Sequence, residues 1–161
     1  MYEAFHKTPV GFVRIRADET HIVSISIRDE ECVETPPDSP LINLAIKQLD
    51  EYFEGIRRQF ELPLNQAGTD FQKEVWENLL AVKYGSTMSY LQLANQMKNP
   101  LAIRAIAASN GKNMLWIVVP CHRVIGSDGS LTGYAGGLWR KQWLLDHEAR
   151  VMGVGQTKLF F

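Results

Sequence analysis

The chain has 161 residues, of which 45% are hydrophobic and 22% charged, and its formal net charge at pH 7 is -1. This composition excludes wholesale disorder, and the length predicts one domain of ordinary size or two small ones. No apolar run approaches the roughly 18 residues of a membrane-spanning helix, and no signal peptide is visible, so we expect no membrane association and a reducing, intracellular compartment.

Charge is unevenly distributed along the chain. Residues 1–66 carry seven basic and twelve acidic side chains, whereas residues 67–161 carry ten basic and six acidic ones. The C-terminal part is therefore positive and the N-terminal part negative. Such asymmetry is one indication of a polyanionic partner for the basic part, although ordinary variation among solvated faces explains it equally well.

The first third of the chain alternates apolar and polar residues, as half-buried β-strands do. Two such runs, residues 10–16 and 21–28, flank a short polar turn and predict a β-hairpin. The apolar residues of the two runs are Val10, Phe12, Ile15, Val23, Ile25 and Ile27. Residues 29–40, which are acidic and proline-rich, predict a loop.

A helix is predicted to begin at Ser39-Pro40, since proline is favoured in a first turn, and Gly55 can end it. Its packing positions recur at spacings of three and four: Leu41, Leu44, Ala45, Gln48, Leu49, Tyr52 and Phe53. A candidate linker at residues 65–68 follows. We therefore expect an α+β fold, in which an N-terminal α/β domain over residues 1–66, a hairpin sheet plus a helix, packs on a mainly helical C-terminal domain over residues 67–161.

Helix-capping signals recur in the C-terminal part. Thr69 and Gln72 have the spacing of a capping box, and so do Ser89 and Gln92. The helix after the first box carries the apolar stripe Phe71, Val75, Trp76, Leu79 and Leu80. Each box therefore predicts the start of a helix.

Two short helices around a tight turn predict a helix-turn-helix. The first runs from Ser89 to about Met97; the second is capped by Asn99-Pro100 and runs from Leu101 to Ser109. Arg104 is the only cation of the second helix. The helix is slim because four of its side chains are small, namely Ala102, Ala105, Ala107 and Ala108. A slim helix suits a narrow DNA groove, and it equally suits close packing against another helix.

The last third combines a buried segment, a glycine-rich loop and a helix. Residues 116–119 predict a buried extended segment, and residues 133–137 lack phosphate-loop spacing, so we expect no nucleotide binding there. A final helix is predicted from Leu138 to about Glu148. It is expected to pack through Leu138, Trp139, Gln142, Trp143 and Leu145.

Cys121 is the residue with the clearest chemical potential. A free thiol has a pKa of about 8.5 and needs a base or a positive field to become a nucleophile, which His122 and Arg123 could supply. Glu148 is the acid expected to orient the histidine. A buried cysteine acting as a small hydrophobe is the alternative. Adjacent cysteine and histidine lack zinc-ligand spacing, and Cys32 has no nearby partner, so we expect neither metal nor cofactor.

These residues carry a resemblance to one family. Residues 120–124, Pro-Cys-His-Arg-Val, resemble the active-site signature of the O6-alkylguanine-DNA alkyltransferases, also called methylated-DNA–protein-cysteine methyltransferases. Residues 68–72, with Val75-Trp76 after them, resemble the opening of that family's C-terminal domain. The likeness covers nearly the whole chain. Family-like spacings from the cysteine are found for Tyr90, Arg104, Asn113 and Glu148.

The resemblance implies a role for each matching residue. Cys121 is similar to the alkyl-accepting cysteine, and His122 and Glu148 to its water-linked base and the partner of that base. Asn113 resembles the asparagine that supports the active-site turn, and Tyr90 the tyrosine near the flipped phosphate and guanine N3. Substrate-binding residues would be Tyr90, Arg104, Arg123, Val124, Tyr134, Ala135 and Gly136. DNA-binding residues would be Ser89, Tyr90, Ala102, Arg104 (the finger that fills the gap in the duplex), Ala105 and Ala108.

The activity that the resemblance implies is single-use DNA repair. An alkyl group would pass from O6-alkylguanine, or from O4-methylthymine, in double-stranded DNA to Cys121 after base flipping through the minor groove. The protein would be a monomer of the cytoplasm, or of the nucleus in a eukaryote. Two departures from the family pattern are Met114, where proline is usual, and Ala135, where serine is common. An alkyltransferase-like binding protein and an unrelated cysteine hydrolase are the alternatives.

Overall fold

A computed structural model describes residues 1–34 and 38–153 of the chain. Residues 35–37 of the predicted loop and residues 154–161 lie outside the described part. The chain forms two compact units, one of Met1–Ala67 with Met114–Val118, the other of Gly68–Asn113 with Val119–Phe161. The mixture of a small antiparallel sheet and helices confirms the predicted α+β class.

The first unit contains a three-stranded antiparallel sheet in the order β1 (Tyr2–Thr8), β2 (Gly11–Ala17), β3 (Ile22–Arg28). The predicted hairpin is β2 with β3. β1 was not predicted, because Ala4 is its only fully buried residue and the strand shows no alternation of large apolar side chains.

The buried face of the hairpin differs from the prediction. Ile22 is buried and Val23 is not, because the register shifts beside Arg16: Arg16 pairs with Ser24, but Ala17 pairs with Ile22. A bulge of this kind moves the neighbouring side chain to the opposite face, and sequence alternation does not reveal it. The buried residues of β2 are Val13, Ile15 and Ala17, and not the predicted Phe12.

Helix α1 (Pro40–Phe53) begins where predicted, because the Ser39 hydroxyl accepts a hydrogen bond from the backbone N–H of Ile42 at 3.3 Å. It ends before Gly55, whose φ of 81° suits glycine. Its buried residues are Ile42, Ala45, Gln48, Leu49 and Tyr52. The predicted Leu44 lies instead at the rim of this face, with 39% of its surface exposed.

Residues 114–118 return to the first unit and lie along β3. Met114 O accepts from Ile25 N at 2.8 Å, and Trp116 N donates to Ile25 O at 3.0 Å. The extended segment predicted for residues 116–119 is wrong: Ile117 has a φ of 72°, and Val118 N bonds back to Trp116 O at 2.8 Å. A β-branched residue rarely adopts that backbone region, so the apolar run did not indicate a turn.

The second unit holds four helices and one short parallel strand pair among the described residues. In chain order these are α2 (Asp70–Leu79), β4 (Met88–Ser89), α3 (Tyr90–Gln96), α4 (Ile103–Gly111), β5 (Val124–Ile125) and α5 (Leu138–Met152). In the described parts of both units, no helix combines the length and apolarity needed to cross a membrane.

Both predicted capping boxes are present. Thr69 caps α2 and Ser89 caps α3, each accepting from the N–H three residues on. The second helix of the helix-turn-helix starts differently from the prediction: a 3-10 turn, Pro100–Ala102, precedes α4, and Asn99 makes no side-chain capping bond. The Trp76 indole N–H donates to Ser109 O at 2.8 Å and fastens α2 to α4.

The face through which α5 packs was predicted incorrectly. Leu138 and Trp139 are 50% and 54% exposed. The buried residues are Arg140, Lys141, Leu144, His147 and Glu148. Burial of charged groups requires hydrogen-bond partners, and backbone carbonyls outside α5 supply them to Arg140 and Lys141, so apolar periodicity pointed to the wrong face.

Thr69→Ala should destabilise the protein by about 1 kcal/mol, because it leaves an N–H of the first turn of α2 without its cap. Thr69→Ser, which keeps the hydroxyl, is the control and should stay close to wild type. Urea unfolding of all three proteins measures the difference. Equal midpoints for the alanine and serine variants would show that the capping box contributes nothing.

Candidate active site

Cys121 lies in a 3-10 turn, Cys121–Arg123, immediately before β5. Its N–H donates to Val119 O at 2.8 Å. β5 pairs in parallel with β4, with Val124 opposite Met88, so the turn is joined to the segment that starts the helix-turn-helix. The cysteine is buried, with 5% of its surface exposed.

The thiol of Cys121 is held by an amide. Asn113 Nδ2 lies 3.3 Å from the sulfur and donates also to Val119 O at 3.0 Å. Burial raises the pKa of Cys121 to about 11, and the Asn113 hydrogen bond and the positive charge of Lys141 oppose this shift. The thiol is therefore protonated at neutral pH, and a base must take its proton before it can act as a nucleophile.

A buried histidine, next to Cys121 in the sequence, forms a hydrogen-bonded pair with a buried carboxylate. His122 Nε2 and Glu148 Oε2 are 2.7 Å apart, with side-chain exposures of 0% and 1%. Because a carboxylate only accepts hydrogen bonds, Nε2 carries the proton. His122 Nδ1 is buried and has no hydrogen-bond partner in the described part of the chain. Burial lowers the pKa of His122, Glu148 opposes this shift, and the ring is neutral at pH 7 with Nδ1 as its basic atom.

Arg123 holds the same carboxylate from the other side. Its Nε donates to Glu148 Oε1 at 2.8 Å, its Nη2 to Oε2 at 3.0 Å, and its Nη1 to Val82 O at 2.9 Å. Burial alone would raise the pKa of Glu148, but His122 and Arg123 hold it far below its usual range. These contacts position the carboxylate of Glu148, and the substrate contact predicted for Arg123 stays a prediction.

Lys141 is a site residue that the sequence did not indicate. It is fully buried, and its Nζ donates to Val124 O at 2.6 Å, Thr132 O at 2.9 Å and Gly133 O at 3.4 Å. Three carbonyl oxygens thus stabilise a buried charge, although burial still lowers the pKa of this lysine. Lys141 ties the strand after Cys121 to the loop that precedes α5.

That loop carries the predicted substrate contacts Tyr134, Ala135 and Gly136. Arg140 Nη1 donates to Gly136 O at 3.0 Å, and Gly137 N donates to Tyr134 O at 2.9 Å. Burial raises the pKa of Tyr134 well above its ordinary value, so its phenol stays protonated. The loop is therefore held by a charged side chain and a backbone turn at its C-terminal end.

Tyr90, the first residue of α3, is joined to the cysteine turn through Asn110. The Asn110 amide nitrogen lies 3.4 Å from the Tyr90 hydroxyl and 3.5 Å from Cys121 O. From the sequence, Asn110 was expected only to end a helix, so its contacts with Tyr90 and Cys121 were not predicted. Ser89 uses its hydroxyl to cap α3 by accepting from Gln92 N at 3.0 Å.

The predicted DNA contacts of the second helix lie at its outer side. Arg104, Ala105 and Ala108 are exposed and Ala102 is half-buried, whereas Ile106 faces inward. Within the described residues, Arg104 makes no ion pair or side-chain hydrogen bond. The arginine is thus free to contact another molecule, from a surface of small side chains.

Glu148→Gln should destabilise the protein by roughly 3–5 kcal/mol at neutral pH, because it leaves Arg123 buried without its counter-charge. The lowered pKa of Glu148 means that its contribution is complete above the unfolded value of about 4.3 and is lost as pH falls below it. The gap between wild type and variant should therefore shrink in acid. Urea unfolding across pH measures it, with exposed Glu77→Gln as control; a gap independent of pH would contradict this assignment.

Comparison with known proteins places the chain in a family. A family model described as 6-O-methylguanine DNA methyltransferase, DNA binding domain, matches residues 70–150, and the ribonuclease-like domain model of the same protein type matches residues 1–66. A methylated-DNA–protein-cysteine methyltransferase of Methanosarcina barkeri is 39% identical over 153 residues, which are 92% of this chain and 97% of that protein. A protein of the same name from Shigella flexneri is 51% identical over 106 residues, 65% of this chain and 62% of that protein.

Solved structures agree with this relationship. The O6-methylguanine methyltransferase of Mycobacterium tuberculosis has a TM-score of 0.83 and 37% identity, covering 93% of this chain and 94% of its own. A structure of that protein in complex with DNA has a TM-score of 0.84 and 37% identity, covering 92% of this chain and 93% of its own. The chain belongs to the 6-O-methylguanine DNA methyltransferase family.

Proposed function

We propose that this protein is a methylated-DNA–protein-cysteine S-methyltransferase that moves an alkyl group from O6 of guanine in DNA to the sulfur of Cys121. One observation carries the proposal: Cys121 follows a helix-turn-helix and immediately precedes in sequence a buried histidine, whose Nε2 is held by Glu148 and whose Nδ1 has no hydrogen-bond partner among the described residues. Family membership supports both DNA as the partner and alkyl transfer as the reaction.

The proposed reaction balances without a cofactor. His122 Nδ1 takes the thiol proton, directly or through a water molecule, and Sγ of Cys121 attacks the alkyl carbon. The new S–C bond forms as the C–O6 bond breaks, and its electron pair goes to the guanine oxygen. The proton held by His122 then goes to the departing guanine, so unmodified guanine and an S-alkylcysteine are the products.

The same chemistry makes the protein a single-use reagent. A thioether has no acyl carbon that water could attack, so the product cannot be hydrolysed as an acyl-enzyme is. One molecule of protein should repair one lesion, and no second turnover should follow.

Access to the lesion requires base flipping. The O6 substituent points into the paired stack, where no side chain reaches it. We infer that the exposed side of α4, which carries small side chains, enters the minor groove. Base pairs are poorly distinguished there, so the protein can bind a lesion in any sequence context. Arg104 would fill the gap left by the flipped base. Ser89 and Tyr90 would contact the nearby backbone, and Asn113 would keep the sulfur in place.

The guanine pocket would be formed mainly by backbone groups. We propose that Val124 and residues 134–136 line it, with Lys141 fixing their relative position. Ala135 would offer its N–H to O6 and no hydroxyl. O4-methylthymine presents an equivalent alkyl carbon on an exocyclic oxygen, and we propose it as a second substrate. We further propose that the protein acts as a monomer, in the cytoplasm or, in a eukaryote, the nucleus.

Cys121→Ser should abolish alkyl transfer, because a serine hydroxyl has no accessible anion near neutral pH. Intact mass after mixing with duplex DNA containing O6-methylguanine should rise by one methylene in wild type. The rise should persist in Cys32→Ser, the matched control, and disappear in Cys121→Ser. DNA binding without any mass change in wild type would indicate a binding protein, and multiple turnover on an ester a hydrolase; either would overturn the proposal.

Arg104→Ala should slow repair of duplex DNA by tenfold or more while leaving reaction with free O6-benzylguanine close to wild type. Unstacking a base costs a few kcal/mol, each 1.4 kcal/mol being about tenfold in rate, and the free base has no stack to leave. Lys112→Ala, which removes a cation from the C-terminal end of the same helix, is the control. Equal losses on both substrates would assign Arg104 to pocket integrity.

A further inference from the structure

One face of the sheet in the first unit is not covered by α1. Helix α1 lies on the face of Val13 and Ile15, where His6, the register partner of Val13, bonds Asp50 of the helix at 2.7 Å. Strand alternation sends the intervening side chains to the opposite face. We call this opposite face the cationic sheet face, after its basic residues Lys7, Arg14, Arg16 and Arg28.

The strand register places these cations in neighbouring rows. Lys7 lies opposite Phe12, which in turn lies opposite Arg28. The next row along contains Arg14, and the one after it contains Arg16 opposite Glu3. Hydroxyl groups complete the last two rows, because Ser26 pairs with Arg14 and Ser24 with Arg16.

Charge is segregated in this part of the chain. Residues 1–66 are acidic as a whole, with twelve acidic and seven basic side chains. Four of the seven basic residues nevertheless project from this one face, where the register places one acid, Glu3, among them, and the carboxylate of Glu34 approaches its end by accepting from Lys7 N at 3.0 Å. The sheet therefore presents a positive surface on an otherwise negative unit.

Lys7 is exposed and the three arginines are half-buried, with the Nε atom of Arg16 itself buried. Arg14 and Arg16 share the single carboxylate of Glu3, at 2.5 Å and 3.6 Å, with side-chain exposures of 30% and 39%. Exposed ion pairs contribute about 0–1 kcal/mol, so a phosphate can replace Glu3. The Arg28 guanidinium lies 5.4 Å from the centre of the Phe5 ring, a stacking that leaves its N–H edges able to donate.

We propose that the cationic sheet face binds the sugar–phosphate backbone of duplex DNA. Arginine forks match phosphate oxygens in pairs, and serine hydroxyls are frequent donors to the backbone. A DNA duplex presents phosphates continuously, whereas an acidic peptide does not, and the chain already carries a DNA-binding helix-turn-helix. This contact is independent of the damaged base and adds phosphate interactions that the helix-turn-helix does not supply.

The test measures the dissociation constant of the full-length protein for undamaged duplex DNA over a range of salt. Each lost phosphate contact reduces the slope of log K against log salt by about 0.9. Arg14→Gln/Arg28→Gln should therefore reduce the slope by about 1 to 2 and weaken binding about tenfold or more at low salt. The control Lys47→Gln/Arg58→Gln removes the same charge from exposed positions outside the cationic sheet face and should keep the wild-type slope.

Two further measurements separate the possible outcomes. Reaction with free O6-benzylguanine should be unchanged in both double variants and thermal unfolding should stay cooperative, which shows that the proteins are folded. Wild-type slope and affinity in the Arg14/Arg28 variant would overturn the inference, as would an equal loss in the control pair. Failure of the wild-type protein to transfer an alkyl group would overturn the proposed function and leave this test unaffected.

Discussion

The site depends on one buried carboxylate. Glu148 accepts hydrogen bonds from His122, from two nitrogens of Arg123 and, at 3.3 Å, from the backbone N–H of Gly85. It thereby joins α5 to the cysteine turn and to the segment after α2. A buried ionic cluster of this kind adds little net stability, because burying each charge is costly. It does select one arrangement of these side chains, because removing one charged partner leaves the other charge buried and unpaired. The arrangement defined here is a histidine with one nitrogen occupied and the other free.

The second unit also connects Cys121 to the helix-turn-helix. β4 pairs with β5 immediately after the cysteine turn, and Asn110 of α4 reaches toward both Tyr90 and the carbonyl of Cys121. Lys141 adds a third connection, from α5 to the carbonyl of Val124. The helix-turn-helix proposed to enter the groove and the sulfur proposed to receive the alkyl group are therefore held in one connected structure.

Local chemistry was predictable from the sequence, and long-range chemistry was not. The capping boxes of α2 and α3 and the start of α1 at Pro40 depend on residues three or four apart, and all three predictions are confirmed. The family resemblance is confirmed as well. The prediction for the buried face of α5 was wrong because buried Lys141 donates hydrogen bonds to backbone carbonyls that are distant in the sequence. The prediction of an extended segment at residues 116–119 was wrong because the left-handed backbone of Ile117 leaves no periodic signal in the sequence. The individual site roles remain predictions.

The protonation of His122 is the central claim of this account. Burial lowers its pKa, and the carboxylate of Glu148 fixes the proton on Nε2, so Nδ1 is the atom that we propose accepts the thiol proton. Nitrogen NMR of the 15N-labelled imidazole ring in the DNA-free protein at neutral pH reports both ring nitrogens directly. The account predicts a neutral ring with Nε2 protonated and Nδ1 bare; a doubly protonated ring, or a proton on Nδ1, would contradict it.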